Sequence, residues 1–117
     1  MDESPRLRVL ESTTYLLLHT GFQPRQRGCR YLREAVWIAW KEPGMLTSVT
    51  KLLYPEVAKR FGTTDKHVER AIRTAIETAW IKGNADMLTE VFGDLFTDRN
   101  LRPTNSEVIA ALVACIV

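Results

Sequence analysis

Five titratable side chains, Lys66, His67, Glu69, Arg70 and Arg73, fall within one eight-residue stretch. On a helix advancing ~100° per residue, Lys66, Arg70, Arg73 and Glu77 share one side, with His67 and Thr74 at its edge. Val68, Ile72, Ala75, Ile76 and Ala79 fall on the opposite side. The chemistry of such a set is recognition, not bond-making. A guanidinium donates two parallel hydrogen bonds to guanine O6 and N7, and a carboxylate accepts from cytosine N4. One turn further on, Arg73 is better placed for a phosphate than for a base. The plain alternative is a surface helix with a solvated charged face.

The elements that must position these side chains favour recognition. From Tyr54 to Trp80 a short amphipathic segment runs into Phe61-Gly62-Thr63-Thr64, and a longer amphipathic segment follows. A glycine at the break and a hydroxyl cap on the second segment form a helix-turn-helix pattern. Residues 55–61 are expected as the supporting helix and 64–81 as the recognition helix, whose first turns reach base edges in the major groove. Lys66, His67, Glu69 and Arg70 are therefore expected to face bases. Arg73, Thr74, Lys59, Arg60 and Lys82 are expected to hold phosphates.

Nothing in the chain suggests catalysis. The two histidines, His19 and His67, lack a partner at metal-binding or catalytic spacing. Ser4, Ser12, Ser48 and Ser106 show no nucleophile-elbow pattern, and there is no glycine-rich phosphate loop. His19 suits a donor at a helix C-terminus. Cys29 and Cys115 have no neighbouring cysteine or histidine, which argues against zinc, and both read as reduced, at least partly buried thiols. No cofactor is expected. No run of ~18 uncharged apolar residues is present, and the N-terminus lacks the order of a signal peptide. A cytoplasmic protein without membrane contact is expected.

At 117 residues, 45% hydrophobic and 26% charged, the chain is an ordinary globular length and composition for one core. The net charge of +2 is too small to argue for nucleic acid. Its distribution says more. Arg25 to Arg33 holds four arginines and no acid, and Lys59 to Lys82 holds six Lys or Arg against three acids. Asp86 to Asp98 holds four acids and no base. One basic flank would attract phosphate, and one acidic flank would suit a protein partner.

The pattern predicts an all-α chain of about six helices and no sheet. Ser4 and Pro5 open the first helix, with Leu7, Leu10, Thr14, Leu17 and Leu18 as its inward stripe, and Gly21 ends it. A helix near 26–41 is apolar all round at Ala35 to Trp40 and reads as the buried central element. Pro43 stops it, and a short helix is expected near 47–53. Lys82-Gly83-Asn84 is a C-cap signal, and 85–93 forms a further short helix. Thr104 and Glu107 have capping-box spacing before the apolar run 108–117, which packs into the core or a homodimer interface. Trp37, Trp40 and Trp80 read as core side chains rather than base-stacking platforms. The whole of 1–117 reads as one helical DNA-binding domain.

Four runs carry a resemblance. Leu53-Tyr54-Pro55-Glu56-Val57-Ala58-Lys59-Arg60-Phe61 and Val68-Glu69-Arg70-Ala71-Ile72-Arg73 resemble the first helix and the recognition helix of one family's effector domain. Tyr31-Leu32-Arg33-Glu34-Ala35 and Pro103-Thr104-Asn105-Ser106-Glu107 match it in the same order. The family is the C-terminal DNA-binding domain of the stage-zero sporulation response regulator, and the resemblance covers roughly residues 14–114. It implies an all-helical fold and duplex DNA carrying TGTCGAA-type boxes as partner. It implies transcription regulation in bacterial sporulation, contact with the RNA polymerase sigma subunit, and a homodimer of head-to-tail copies on tandem boxes. By position it makes Glu69 and Arg70 base-contacting and Arg73 backbone-contacting. His67 stands where the family usually has arginine, Thr74 where it usually has histidine, and the receiver domain of the family protein is not part of this chain. A protein-interaction module that pairs with a related regulator or with polymerase, without reading DNA, is the competing reading, and Arg70 discriminates between the two.

Overall fold

The helices begin and end where side chains satisfy their end groups. In the computed structural model, which describes residues 4–96 and 102–116, they are α1 (Pro5–Thr20), α2 (Arg27–Lys41), α3 (Tyr54–Phe61), α4 (Asp65–Lys82), α5 (Ala85–Phe92) and α6 (Asn105–Ala114). No strand occurs among the described residues. The Ser4 hydroxyl accepts from the Leu7 N–H at 3.1 Å, and Gly21 closes α1 in the left-handed region at φ 97°. A reciprocal capping box starts α6: the Glu107 N–H donates to the Thr104 hydroxyl at 3.1 Å, and the Thr104 N–H donates to the Glu107 carboxylate at 2.8 Å. The Asn84 side chain caps α5 by accepting from the Met87 N–H at 3.1 Å.

Helix α2 is the axis of the fold, packing against α1, α3, α4 and α6. Leu32, Ala35, Val36, Ile38 and Ala39 are buried within it. Trp80 on α4, 1% exposed, anchors a second part of the core, with its ring 5.0 Å from Phe92, 5.6 Å from Phe96 and 6.5 Å from Phe22. Val108, Ile109 and Leu112 bury α6 in the same core, so the apolar terminal helix resolves to core packing. Val117 lies outside the described residues.

Several sequence expectations need correction. In α1 the inward residues are Val9, Thr13, Leu17 and Thr20, while Leu7 and Leu18 are 47% and 52% exposed. Two threonines replace leucines in the stripe because their hydroxyls are satisfied inside the helix. Thr13 donates to the Val9 carbonyl and Thr20 to the Leu16 carbonyl, both at 2.8 Å, so only methyl groups meet the core. Helix α2 is not covered all round. Trp37 and Trp40 are half-buried and stack on each other at 6.0 Å, with Arg6, Arg8 and Lys41 over their faces. The short helix expected near 47–53 is instead a 3₁₀ turn (Pro43–Thr47) followed by a π-helical turn (Val49–Leu53) that runs directly into α3. Val49 and Leu53 of this turn are buried in the core. Cys29 is buried, donates to the Gln23 carbonyl at 3.1 Å, and its thiol is pushed up to about 11 by burial. Cys115 is exposed, against expectation, and both thiols are free.

Three glycines sit at close approaches. Gly83 ends α4 at φ −74°, outside the left-handed region. A Cβ there would meet the Thr20 carbonyl oxygen at 2.6 Å, and one on Gly21 would meet the Gly83 Cα at 2.7 Å. At Gly28 a Cβ would run into the Ala71 carbonyl oxygen and come within 2.9 Å of the Ala75 Cβ, so this glycine sets the spacing of α2 and α4. Gly28→Ala should destabilise the fold by about 1–3 kcal/mol in denaturant unfolding, as overpacking does. Gly44→Ala, where a Cβ meets nothing within 4 Å, should stay within about 0.5 kcal/mol of the parent. Equal effects at the two positions would show that the α2–α4 approach is not tight.

Candidate nucleic-acid interface

The break between α3 and α4 is short because Gly62 takes φ 64°, and the Gly62 and Thr63 N–H groups both return to the Ala58 carbonyl. A Cβ on Gly62 would meet nothing within 4 Å, so the backbone angle alone calls for glycine. Thr64 then caps α4 by accepting from the His67 N–H at 3.1 Å. The observed bounds, Tyr54–Phe61 and Asp65–Lys82, lie within one residue of those expected.

Two buried polar links hold this unit to the rest of the chain. The Glu34 side chain on α2, 7% exposed, accepts from Arg6 in two parallel bonds at 2.7 and 2.8 Å and from Arg60 at 2.7 Å. The Arg6 hydrogen bonds hold its carboxyl below the ordinary range, burial opposes them, and Arg60 adds to the lowering. On the other side, the Asn105 amide donates to the Tyr54 hydroxyl and to the Glu69 carbonyl, both at 3.0 Å, so α6 pins α3 to the second turn of α4. Burial raises the Tyr54 hydroxyl above its usual range and keeps it protonated.

The outer face of α4 carries the expected side chains in unequal states. Lys66, Arg70 and Thr74 are exposed at successive i, i+4 positions and form one line. Glu69 accepts from Arg73 at 2.9 Å, and Glu77 lies 4.0 Å from the same guanidinium. His67 is turned toward α2. Its ring meets Tyr31 edge-on at 5.7 Å, and its Nε2 is buried without a hydrogen-bond partner. Lys59 is exposed on α3, whereas Arg60 is committed to Glu34 and lies 3.7 Å from Glu56. Lys82 is exposed but about 24 Å from Lys66 along the helix axis, at 1.5 Å per residue. The structure thus groups Lys66, Glu69, Arg70, Arg73 and Thr74, and leaves Arg60 and Lys82 apart from them.

Sequence reasoning about the recognition helix did not reach α2. Its first turn borders α4 across a groove of about 280 Å³ whose walls include Gln26, Arg27, Arg70 and Thr74. Gln26 donates to the Thr78 hydroxyl at 3.1 Å across the helix pair. The acid-free arginine run Arg25 to Arg33 was the available signal. On the acidic side, Asp86 and Glu90 are exposed one turn apart on α5, while Asp98 and the side chain of Asp94 lie outside the described residues.

An all-α core that presents the second helix of a helix-turn-helix, cationic on its exposed face, defines a helix-turn-helix DNA-binding domain. A protein-family model described as the sporulation initiation factor Spo0A C terminal matches residues 13–116. The chain belongs to that family, the DNA-binding domain of a sporulation transcription regulator, which is not known as an enzyme. No helix among the described residues is long and apolar enough to cross a membrane.

The Glu34 link yields a stability test. A carboxylate with a lowered folded value contributes fully above its unfolded value of ~4.3 and loses that contribution as pH falls through the folded one. Glu34→Gln should cost about 2 kcal/mol at pH 7, less than a wholly buried pair because both guanidinium groups reach solvent. The gap between parent and variant should close in urea melts taken progressively below the ordinary carboxylate range. A gap independent of pH would exclude the ion pair as its cause.

Proposed function

We propose that this domain binds duplex DNA sequence-specifically, through the first turns of α4 in the major groove, at TGTCGAA-type boxes of sporulation promoters. The observation that carries the reading is the exposed Lys66–Arg70–Thr74 line on a helix whose opposite face is wholly buried. Among the described residues, neither Lys66 nor Arg70 has a carboxylate partner, so both are available to acceptors on DNA.

In this reading Arg70 donates to guanine O6 and N7, and Lys66 reaches a neighbouring base or phosphate. Glu69 accepts from a cytosine amino group through the oxygen that Arg73 leaves free, since a carboxylate has lone pairs for both. Arg73 orients Glu69 first and meets the backbone second. Thr74 and Lys59 hold phosphates. His67, packed on Tyr31, shapes the wall of the reading face more than it reads a base, so the second box contact that the family makes with arginine is weakened here. Arg60 acts as a strut through Glu34. Lys82 touches phosphate only where the duplex extends along the full length of α4.

The domain works in the cytoplasm as a single unit and regulates transcription there. The exposed acids of α5 suit contact with the polymerase sigma subunit, and tandem boxes would seat copies head to tail. Both belong to the resemblance more than to the geometry.

The reading is tested by fluorescence anisotropy on a labelled box duplex and a scrambled one of equal length. Arg70→Ala should weaken box binding by about 1–3 kcal/mol, roughly 5- to 150-fold, and relax base choice at one position. Unchanged box affinity in both Arg70→Ala and Glu69→Ala would overturn base readout and leave a protein-interaction module as the better account.

A further inference from the structure

We propose that Arg27 and Arg30, on the first turn of α2, form a separate clamp for the phosphodiester backbone of the bound duplex. This rests on the DNA-binding reading above but concerns a different helix.

The argument starts from which cations are already neutralised. Arg60 is held by Glu34 at 2.7 Å, and Arg73 is held by Glu69 at 2.9 Å with Glu77 at 4.0 Å. A phosphate approaching either must compete with a carboxylate already in place. Arg27 and Arg30 are exposed and have no ion-pair partner among the described residues, and the first turn of α2 contains no acid.

Their position is equally specific. Arg27 stands on the ridge between two grooves. On one side is the groove of about 280 Å³ that it shares with Arg70 and Thr74 of α4. On the other is a groove of about 340 Å³ shared with Arg30, Phe61, Gly62 and Thr63, the break of the helix-turn-helix itself. An α-helix about 10–12 Å across fills a major groove about 12 Å wide, so the phosphates at the groove's rim fall beside the recognition helix, not under it. The element beside α4 on that flank is the N-terminal turn of α2, drawn in at Gly28. Guanidinium groups suit the site because they meet phosphate oxygens with paired donors.

The clamp is read from the salt dependence of binding. Each phosphate contact contributes about 0.9 to the slope of log K against log salt. The Arg27→Ala/Arg30→Ala double variant should lower that slope by about 1.8 on box and scrambled duplexes alike, and keep the preference of the parent for the box. Arg27→Lys/Arg30→Lys should keep the slope, because charge is retained. Arg73→Ala should lower it by less than the alanine pair. Thermal melts should match the parent, since both side chains are exposed. An unchanged slope in the alanine pair overturns the clamp, and so does an unchanged slope with lost box preference, which would make these residues base readers. A parent that binds both duplexes equally defeats base readout while the slope comparison on scrambled DNA still decides the clamp. A parent that binds neither duplex defeats both.

Discussion

The surface formed by α2 and α4 depends on how closely α2 is allowed to approach α4. At Gly28 the two backbones come so near that a single methyl group would collide with the Ala71 carbonyl. That contact does more than close a core. It brings the basic start of α2 onto the same surface as the exposed line of α4, although the two lie some forty residues apart in the chain. Without it, Arg27 and Arg70 would not line one groove, and the positive charge of the chain would be spread over separate faces. Association of a weakly basic domain with a polyanion depends on such local concentration, since a net charge of +2 gives little long-range field.

Glu34 solves a related problem in the middle of α2. A carboxylate this well buried is costly unless it is paired and hydrogen-bonded, and here guanidinium groups from α1 and α3 meet it together. The triad ties three helices at a point where the apolar core is interrupted. It also commits the Arg60 guanidinium to a carboxylate. On the opposite flank Asn105 bonds the Tyr54 hydroxyl and the Glu69 carbonyl, so the angle between α3 and α4 is set by polar bonds on two sides as well as by packing. Both links are directional, so they fix the orientation of α4 more closely than apolar packing alone would.

Much of this was legible from local sequence. Gly62 and Thr64 marked the break, and Thr104 with Glu107 marked the start of α6, because capping and turn chemistry involve residues only a few positions apart. The register of α1 was not legible, because hydrophobicity assigned the stripe to Leu7 and Leu18. The structure buries Thr13 and Thr20, whose hydroxyls are satisfied by carbonyls of the same helix. Nor was Gly83 read for its true reason. It resembles a left-handed cap in sequence, yet what matters is the neighbouring end of α1, which only tertiary structure supplies. The π-helical turn before α3, which buries Val49 and Leu53, was not legible either.

The site was half legible for the same physical reason. A helical wheel orders side chains on one helix, so Lys66, Arg70 and Thr74 could be placed on the outer face in advance. It carries no information about which cations are cancelled by acids from elsewhere. Arg60, Arg73 and Lys66 look equivalent as positive charges in the sequence. In the fold, Arg60 is tied to Glu34, Arg73 is bound to Glu69, and Lys66 on the first turn has no ion-pair partner among the described residues. The ion pairs therefore act as a filter on function. By occupying some cations they leave others exposed and unpaired among the described residues, including Lys66 and Arg70 on α4, Arg27 and Arg30 on α2 and Lys59 on α3. His67 belongs to the same filter. Its ring leans on Tyr31 and fills the angle between α2 and α4, so this side chain contributes shape, not an exposed charge, to the groove wall.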